Sequence, residues 1–232
     1  MTKTIAIIGS NGFVGKVMSQ KTQEKGFDCI QVTRDNYHLA VGNEMIDCVI
    51  NCAMPSGRFW AKNNSTADFQ ETVEKTHQIK TDFQGAKLIQ ISSISARLQR
   101  DTVYGRNKLA AEGLLNPKAD LIIRLGPLYH PSMTKGALID IIKNENVFVS
   151  GETKYAFTPL DWACEHILAN LSSCGILEVG SKGYVTLGVL ASEIGSKSMF
   201  EGEIDDQVFL EGGSDRPDAT KIFDFARARV GL

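Results

Sequence analysis

Short unbroken apolar runs alternate along the chain with longer stretches in which apolar residues return every three to four positions. The first run, "TIAII" at residues 4–8, has no polar alternation, which predicts a strand covered on both faces of a parallel sheet. From Gly12 onward Phe13, Val14, Val17 and Met18 keep helical spacing, and Gly26 supplies a stop. The runs "DCIQVT", "MIDCVINCAM", "AKLIQISS" and "ADLIIRLGPLY" predict further strands. Residues 67–83 suit a helix, with Phe69, Val73 and Ile79 partly in register, and "YGRNKLAAEGLLN" suits another, closed by Asn116 and Pro117. Residues 36–45 form a polar connection too short for a long crossover helix. Strands alternating with helices predict an α/β fold, a doubly wound parallel sheet with right-handed crossovers.

The rhythm changes after Pro131. "GALIDIIKNENVFVSG" reads as a helix and a short strand, "PLDWACEHILANL" as a helix, and "GILEVGS" as a strand returning to the main sheet. In the tail, "VTLGVLASEIG" predicts a helix, "QVFLE" a strand, and residues 219–229 a last helix.

Composition narrows the function classes. A chain of 232 residues, 43% hydrophobic and 22% charged with net charge -2, is long enough to bury a sizeable core and has no basic excess for a nucleic acid partner. Five cysteines, at 29, 48, 52, 164 and 174, include no Cys-x-x-Cys pair. That argues against a disulfide framework, and Cys29, Cys48 and Cys52 lie in apolar runs as small hydrophobes. The four histidines form no closely spaced pair, so no metal site is expected. The apolar run after Lys3 is too short for a signal sequence and no apolar stretch is long enough to span a membrane. The expectation is a cytoplasmic protein without a membrane partner.

Candidate chemistry starts at "GSNGFVG", which sets Gly9, Gly12 and Gly15 between a predicted strand and a predicted helix. A tight turn of residues without Cβ lets backbone N–H groups and a helix N-terminus approach a pyrophosphate, and Gly15 lets the helix lie close on the sheet. The spacing is G-x-x-G-x-x-G rather than G-x-G-x-x-G. The sheet is therefore expected to be Rossmann-like and to bind a dinucleotide. At the end of the second strand stand Thr33 and Arg34. An Arg there pairs with a 2′-phosphate, which favours NADP, while the neighbouring Asp35 leaves NAD open.

Ser92 and Ser93 end the strand "LIQIS", and parallel strands deliver ligands at their carboxyl ends. Tyr104 opens the next helix, and Lys108 lies one turn further on the same face. A free phenol, with a pKa of about 10, is a poor proton acceptor near neutrality. A neighbouring ammonium favours the phenolate, so Lys108 is expected to lower the pKa of Tyr104. Tyr104 then exchanges a proton with a carbonyl or alcohol oxygen while hydride moves at the attached carbon, and Ser93 fixes that oxygen by a hydrogen bond.

The order of glycine loop, strand-end serine and Tyr-x-x-x-Lys resembles the short-chain dehydrogenase/reductase superfamily. "YGRNKLAAEGLL", "VINCAM", "IRLGPLYHP" and "FTPLDWACEHIL" are similar to its extended branch of nucleotide-sugar epimerases, dehydratases and 4-ketoreductases. The resemblance covers residues 1–131 and weakens toward about 180. It implies a Rossmann domain over 1–130 with about 160–180, and a small C-terminal substrate-binding appendage from about 131–159 and 181–232. It also implies Ser93, Tyr104 and Lys108 as the catalytic set, with Lys108 binding the nicotinamide ribose. Around the cofactor it places Gly9, Asn11, Gly12, Phe13, Val14 and Gly15, then Thr33 and Arg34, then Cys52, Ala53 and Met54, and finally Ser92 and Leu128. Relatives often dimerise through the Tyr-x-x-x-Lys helix, and Leu109, Ala110, Leu114 and Leu115 permit a homodimer.

Departures shape the substrate expectation. Ala96, Arg97 and Leu98 replace the usual residues after the active serine, and Thr72 or a neighbour stands where the middle helix often carries Asn. Tyr155 occupies the place of an Arg that grips a substrate diphosphate in many relatives, which weighs against a nucleotide-sugar substrate. Ile94 and Ser95 replace the Asp-Glu pair of the dehydratases. Ser56, Arg58, Ser95, Tyr129 and His130 flank strand ends and are the expected substrate contacts. The expected activity is an NAD(P)-dependent oxidoreductase acting on a carbonyl or alcohol of a small, sugar-like substrate. A cofactor-retaining nucleotide-sugar epimerase and a non-catalytic NADP(H) sensor are the alternatives.

Overall fold

The computed structural model describes residues 2–210 and 215–232. In chain order the elements are β1 (Thr4–Ile8), α1 (Phe13–Glu24), β2 (Asp28–Val32), α2 (Tyr37–Ala40), β3 (Cys48–Asn51), α3 (Arg58–Asn63), α4 (Ser65–Phe69), α5 (Lys75–Asp82), β4 (Lys87–Ser93), α6 (Ser95–Leu98), α7 (Val103–Glu112) and β5 (Leu121–Leu125). After these come β6 (Leu128–Tyr129), α8 (Ala137–Lys143), β7 (Lys154–Tyr155), β8 (Thr158–Pro159), α9 (Leu160–Ala169), β9 (Gly175–Val179), β10 (Val185–Thr186), α10 (Leu187–Glu193) and α11 (Ile222–Val230). A π-helical turn, Gln70–Glu74, joins α4 to α5 in one helical run.

The chain forms two compact units, Met1–Leu125 with Asp161–Val179, and Gly126–Leu160 with Gly180–Leu232. The first unit holds a six-stranded sheet in the order β2-β1-β3-β4-β5-β9, parallel at every pairing. The chain steps from β1 outward to β2 and then returns past β1 to β3, so the sheet reverses direction between β1 and β3. Such a switch point opens a crevice at the carboxyl ends of the two strands. Ala6 and Ile8 join Val32, Val49, Leu88 and Ile122 in one buried cluster, which takes Ile79 and Phe83 from the helical side. Ile5 and Ile7 point to the other face and are equally buried. A fully buried isoleucine contributes roughly 2–3 kcal/mol, which is why these strands lack polar alternation.

The second unit has its own core, in which Leu138 and Ile141 of α8, Leu187 and Leu190 of α10, and Ile222 and Ala226 of α11 surround Phe157 and Tyr155. Its β6 and β8 pair in parallel, and β7 and β10 antiparallel. Several expectations change here. The run "ADLIIRLGPLY" breaks at Gly126–Pro127 into β5 and β6, because proline has no N–H for the ladder. The first unit accordingly stops at Leu125, and residues 126–130 group with the second. The expected strand after α8 is only an isolated bridge between Val147 and Phe200. "QVFLE" contributes one bridging residue, Gln207, and its last residue lies outside the described residues. Among the described residues no helix is long and apolar enough to cross a membrane.

The turn from α6 into α7 sets the position of Tyr104. Thr102 caps α7, its Oγ1 accepting the Gly105 N–H at 3.0 Å, so the helix starts just ahead of Tyr104. Gly105 is the point of closest approach: a Cβ there would lie 2.0 Å from the Gln99 carbonyl oxygen and 2.7 Å from that of Ser95. Gly105→Ala is therefore expected to lower unfolding stability by about 1–3 kcal/mol through overpacking. Gly85→Ala, where a Cβ meets nothing within 4 Å, serves as the control and should leave the urea midpoint unchanged or slightly raised.

Candidate active site

The glycine turn lies at the β1/β3 switch point. Gly9 has φ +80°, and a Cβ on it would stand 2.8 Å from the Ala53 Cα, so the two strand ends nearly touch. A Cβ on Gly15 would come within 2.1 Å of the Gly9 carbonyl oxygen. The N-cap of α1 is Gly12, with no side-chain cap and no acidic residue in the first turn. The helix thus presents uncapped backbone N–H groups and the positive end of its dipole beside a cradle without side chains, which fits a pyrophosphate. Across the crevice the Ala53 N–H is held by Asn51 Oδ1 at 3.0 Å, and Asn51 is tied to Gln90 Oε1 at 3.0 Å. Gln90 also contacts the Met54 sulfur. Cys52, Ala53 and Met54 are therefore fixed in place and half-buried at the strand end.

One strand further, β4 delivers the serines and α7 the tyrosine and lysine. Ser92 and Ser93 point to opposite faces of the strand. Ser93 Oγ accepts the Ser95 N–H at 3.2 Å, and the same hydroxyl favours the Tyr104 phenolate, lowering the phenol's pKa. Lys108 is 2% exposed. Its Nζ donates to the Pro55 carbonyl at 2.8 Å and lies 5.0 Å from the centre of the Tyr104 ring. Burial pushes the Tyr104 phenol up to about 12, against the lowering influences of Ser93 and the Arg58 charge. Burial also pulls the Lys108 ammonium down to about 7, with Asp68 and Glu112 acting in the opposite direction. The expected downward pull of Lys108 on the phenol is thus not what sets its acidity here: the ammonium sits over the ring rather than at the hydroxyl, and desolvation outweighs both lowering groups.

Several residues at this site were not anticipated. Asp68 of α4 is fully buried and accepts from Asn107 Nδ2 at 2.7 Å. Glu112, one turn beyond Lys108, accepts from Ser92 Oγ at 2.6 Å and from Arg124 Nη2 at 2.6 Å. Arg124 also approaches Glu178 of β9 at 3.7 Å, and Arg97 of α6 donates to that same carboxylate at 2.6 and 2.9 Å. The only sequence signal for this set was the Tyr-x-x-x-Lys-x-x-x-Glu spacing, which puts all three side chains on one helix face.

The remaining candidates separate. Ser92, expected at the cofactor, has its hydroxyl committed to Glu112. Ser95 is buried, and its Oγ has no partner among the described residues. Ser56 is exposed in the loop ahead of α3, and Arg58 begins that helix with its charge acting on Tyr104. Asn11, Gly12 and Phe13 are exposed around the turn, while Val14 is half-buried. Thr33 is tied by its N–H to Asn36 Oδ1 at 2.7 Å, and the Arg34 side chain, 87% exposed, lies 3.5 Å from Glu71. Leu128, Tyr129 and His130 belong to the second unit. There Tyr129 is turned into the core against the Phe225 ring, centroids 5.0 Å apart, rather than standing free as a substrate contact. The His130 Nδ1 accepts the Ser132 N–H at 3.1 Å and lies 2.7 Å from Ser132 Oγ, closing a local turn. On the putting-together of helices, Leu115 packs into the first unit's core while Leu114 stays exposed.

The sheet order, the glycine turn at its switch point and the serine and tyrosine at the next strand end define a doubly wound, Rossmann-like α/β protein. More narrowly, the chain shares its fold with solved dTDP-4-dehydrorhamnose reductases and a UDP-N-acetylglucosamine 4-epimerase. A dTDP-4-dehydrorhamnose reductase from Bacillus anthracis, solved in complex with NADP, superposes with TM-score 0.80 at 16% identity over 98% of each chain. MoeE5, in complex with UDP-glucose and NAD, gives 0.77 at 15% identity over 97% of this chain and 99% of that one. A UDP-N-acetylglucosamine 4-epimerase from Bacillus cereus gives 0.67 at 15% identity over 98% and 99%. At these identities the likeness carries the fold. No protein-family model and no curated protein sequence matches the chain.

The buried lysine makes stability depend on pH. Unfolded, Lys108 holds its proton up to a pKa of about 10.4, whereas in the fold it releases it near 7. Between these values the unfolded chain binds more protons, so the lysine's contribution to unfolding free energy rises with pH, by at most about 1.4 kcal/mol per unit. Urea unfolding of the native protein against Lys108→Met across that window should show this slope in the native protein and its loss in the variant.

Proposed function

We propose that the protein is an NAD(P)-dependent oxidoreductase that interconverts a carbonyl and an alcohol on a sugar-like substrate, with Tyr104 as the acid/base. The observation that carries this reading is the buried Tyr104 phenol with the Lys108 amine 5.0 Å from its ring centre, at the end of the strand that bears Ser93, one strand from a glycine cradle that fits a pyrophosphate. A bound nicotinamide supplies or accepts the hydride. Tyr104 gives its phenolic proton to the carbonyl oxygen as the C–H bond forms, and water later returns a proton to the phenolate. Ser93 holds the oxygen by a hydrogen bond, and Lys108 is placed by Pro55 where it can stabilise the negative charge left on the ring system.

A phenol pushed up to about 12 is protonated at neutral pH, which suits the reducing direction. Alcohol oxidation needs the phenolate and is favoured as pH rises. Sugar-type substrates are supported by the reductase and epimerase of like fold. Arg34, exposed at the end of β2, supports NADP over NAD.

The direct test is NADPH oxidation, followed by absorbance, with a panel of keto-sugars. Tyr104→Phe should lower kcat by about 10²–10⁴-fold with the NADPH Kd unchanged; full activity in this variant would overturn the assignment. Arg34→Ala should weaken NADPH binding by about tenfold, the loss of one charge-assisted contact, and leave NADH binding unaltered. Fluorescence titration with the two nucleotides reads that difference.

A further inference from the structure

Asp68 is an unusual carboxylate. It is 0% exposed, has one neutral hydrogen-bond donor in Asn107, and its Oδ1 has no partner among the described residues. No cation lies within ion-pair distance of it among those residues. A buried charge is expensive to keep without compensation, so a charged carboxylate here depends on a cation in its surroundings. The residue that bonds Asp68 is the immediate neighbour of Lys108, and Lys108 itself has one acceptor among the described residues, the Pro55 carbonyl. A buried carboxyl and a buried amine, each short of partners among the described residues, thus share the junction of α4 and α7.

We propose that Asp68 is the counter-charge of the Tyr104–Lys108 site, a positioning residue that holds Lys108 in its ammonium form without touching the reacting atoms. The other groups facing Lys108 do not fill this role. Glu112 of α7 also favours the charged amine, but its carboxylate is shared with Arg124 and bound by Ser92. Arg58 of α3 is itself a cation acting on Tyr104, while β4 contributes the neutral Ser93 hydroxyl and the loop after β3 the neutral Pro55 carbonyl. Asp68 acts upward on both Lys108 and Tyr104, so it favours the protonated form of each. The consequence for turnover rests on the oxidoreductase reading above; the electrostatic assignment does not.

The test uses the full-length protein with ¹³C-labelled lysine, the Lys108 resonance being identified by its loss in Lys108→Arg. In Asp68→Asn the Lys108 titration midpoint should fall by about one pH unit or more, the usual effect of removing a close opposite charge. The alkaline limb of the kcat profile should move the same way. An unmoved midpoint in folded Asp68→Asn overturns the proposal. Should that variant fail to fold, Asp68→Glu is read instead: it keeps the charge but displaces it by one methylene, so a shifted midpoint supports the role and an unshifted one overturns it. A shifted midpoint in a protein that turns over no keto-sugar leaves the counter-charge in place and removes only the proposed reaction.

Discussion

Lys108 must reach the Pro55 carbonyl from inside the first unit, with almost none of its side chain in water. Removing an ammonium from water disfavours its charge, and burial pulls its pKa down to about 7 against the acidic groups nearby. Much of the local construction offsets that penalty. The Tyr104 ring lies beneath the ammonium at a distance where a cation is attracted to the π face. The acidic groups that favour the charged form, Asp68 and Glu112, come from different helices. Neither can be lost without shifting the balance between the neutral and charged amine.

The position of Tyr104 depends in turn on backbone that admits no side chain. Because Gly105 lets the Ser95–Gln99 turn approach α7, and Thr102 starts the helix, the phenol meets the Ser93 hydroxyl at the end of β4. The same economy of atoms recurs at Gly9 and Gly15, where the β1 turn closes against Ala53 and against itself. A chain of ion pairs then fixes the sheet behind the site: Glu112 on α7 to Arg124 on β5, and Arg124 with Arg97 to Glu178 on β9. Charges this deep in a parallel sheet need mutual hydrogen bonds to be tolerated, and their geometry leaves Ser93 rather than Ser92 to face Tyr104.

The strands of the first unit were legible because burial on both faces leaves an unbroken apolar run, and the glycine turn was legible because its spacing reflects a steric need. The Tyr104–Lys108 pair follows from helix periodicity alone. Asp68 was hidden for a definite reason: the π-helical turn at Gln70–Glu74 disturbs the phase between the two halves of the middle helix, so no simple 3.6 period shows which residues face α7. Arg124 was hidden within an apolar strand, its partners Glu112 and Glu178 lying twelve and fifty-four residues away in sequence. Tyr129 follows a proline-interrupted run, and only the docking of Phe225, from the far end of the chain, reveals that it faces a core. Periodicity reports the environment of an element's own faces; it carries no information about which distant element supplies the other side.

That distinction also separates what a motif transmits from what this chain supplies. Tyr-x-x-x-Lys specifies a phenol and an amine on one helical face, but not the acidity of either. Here the phenol is tuned by Ser93 from β4, Arg58 from α3 and Asp68 from α4, all outside its helix, and burial dominates the sum. The two pKa values move apart, the phenol upward and the amine downward. Desolvation alone explains both directions, since it penalises phenolate and ammonium alike. A ligand that brings water or charge to the pair therefore acts on both groups at once, and the proton-transfer capacity of Tyr104 cannot be considered apart from the charge state of Lys108.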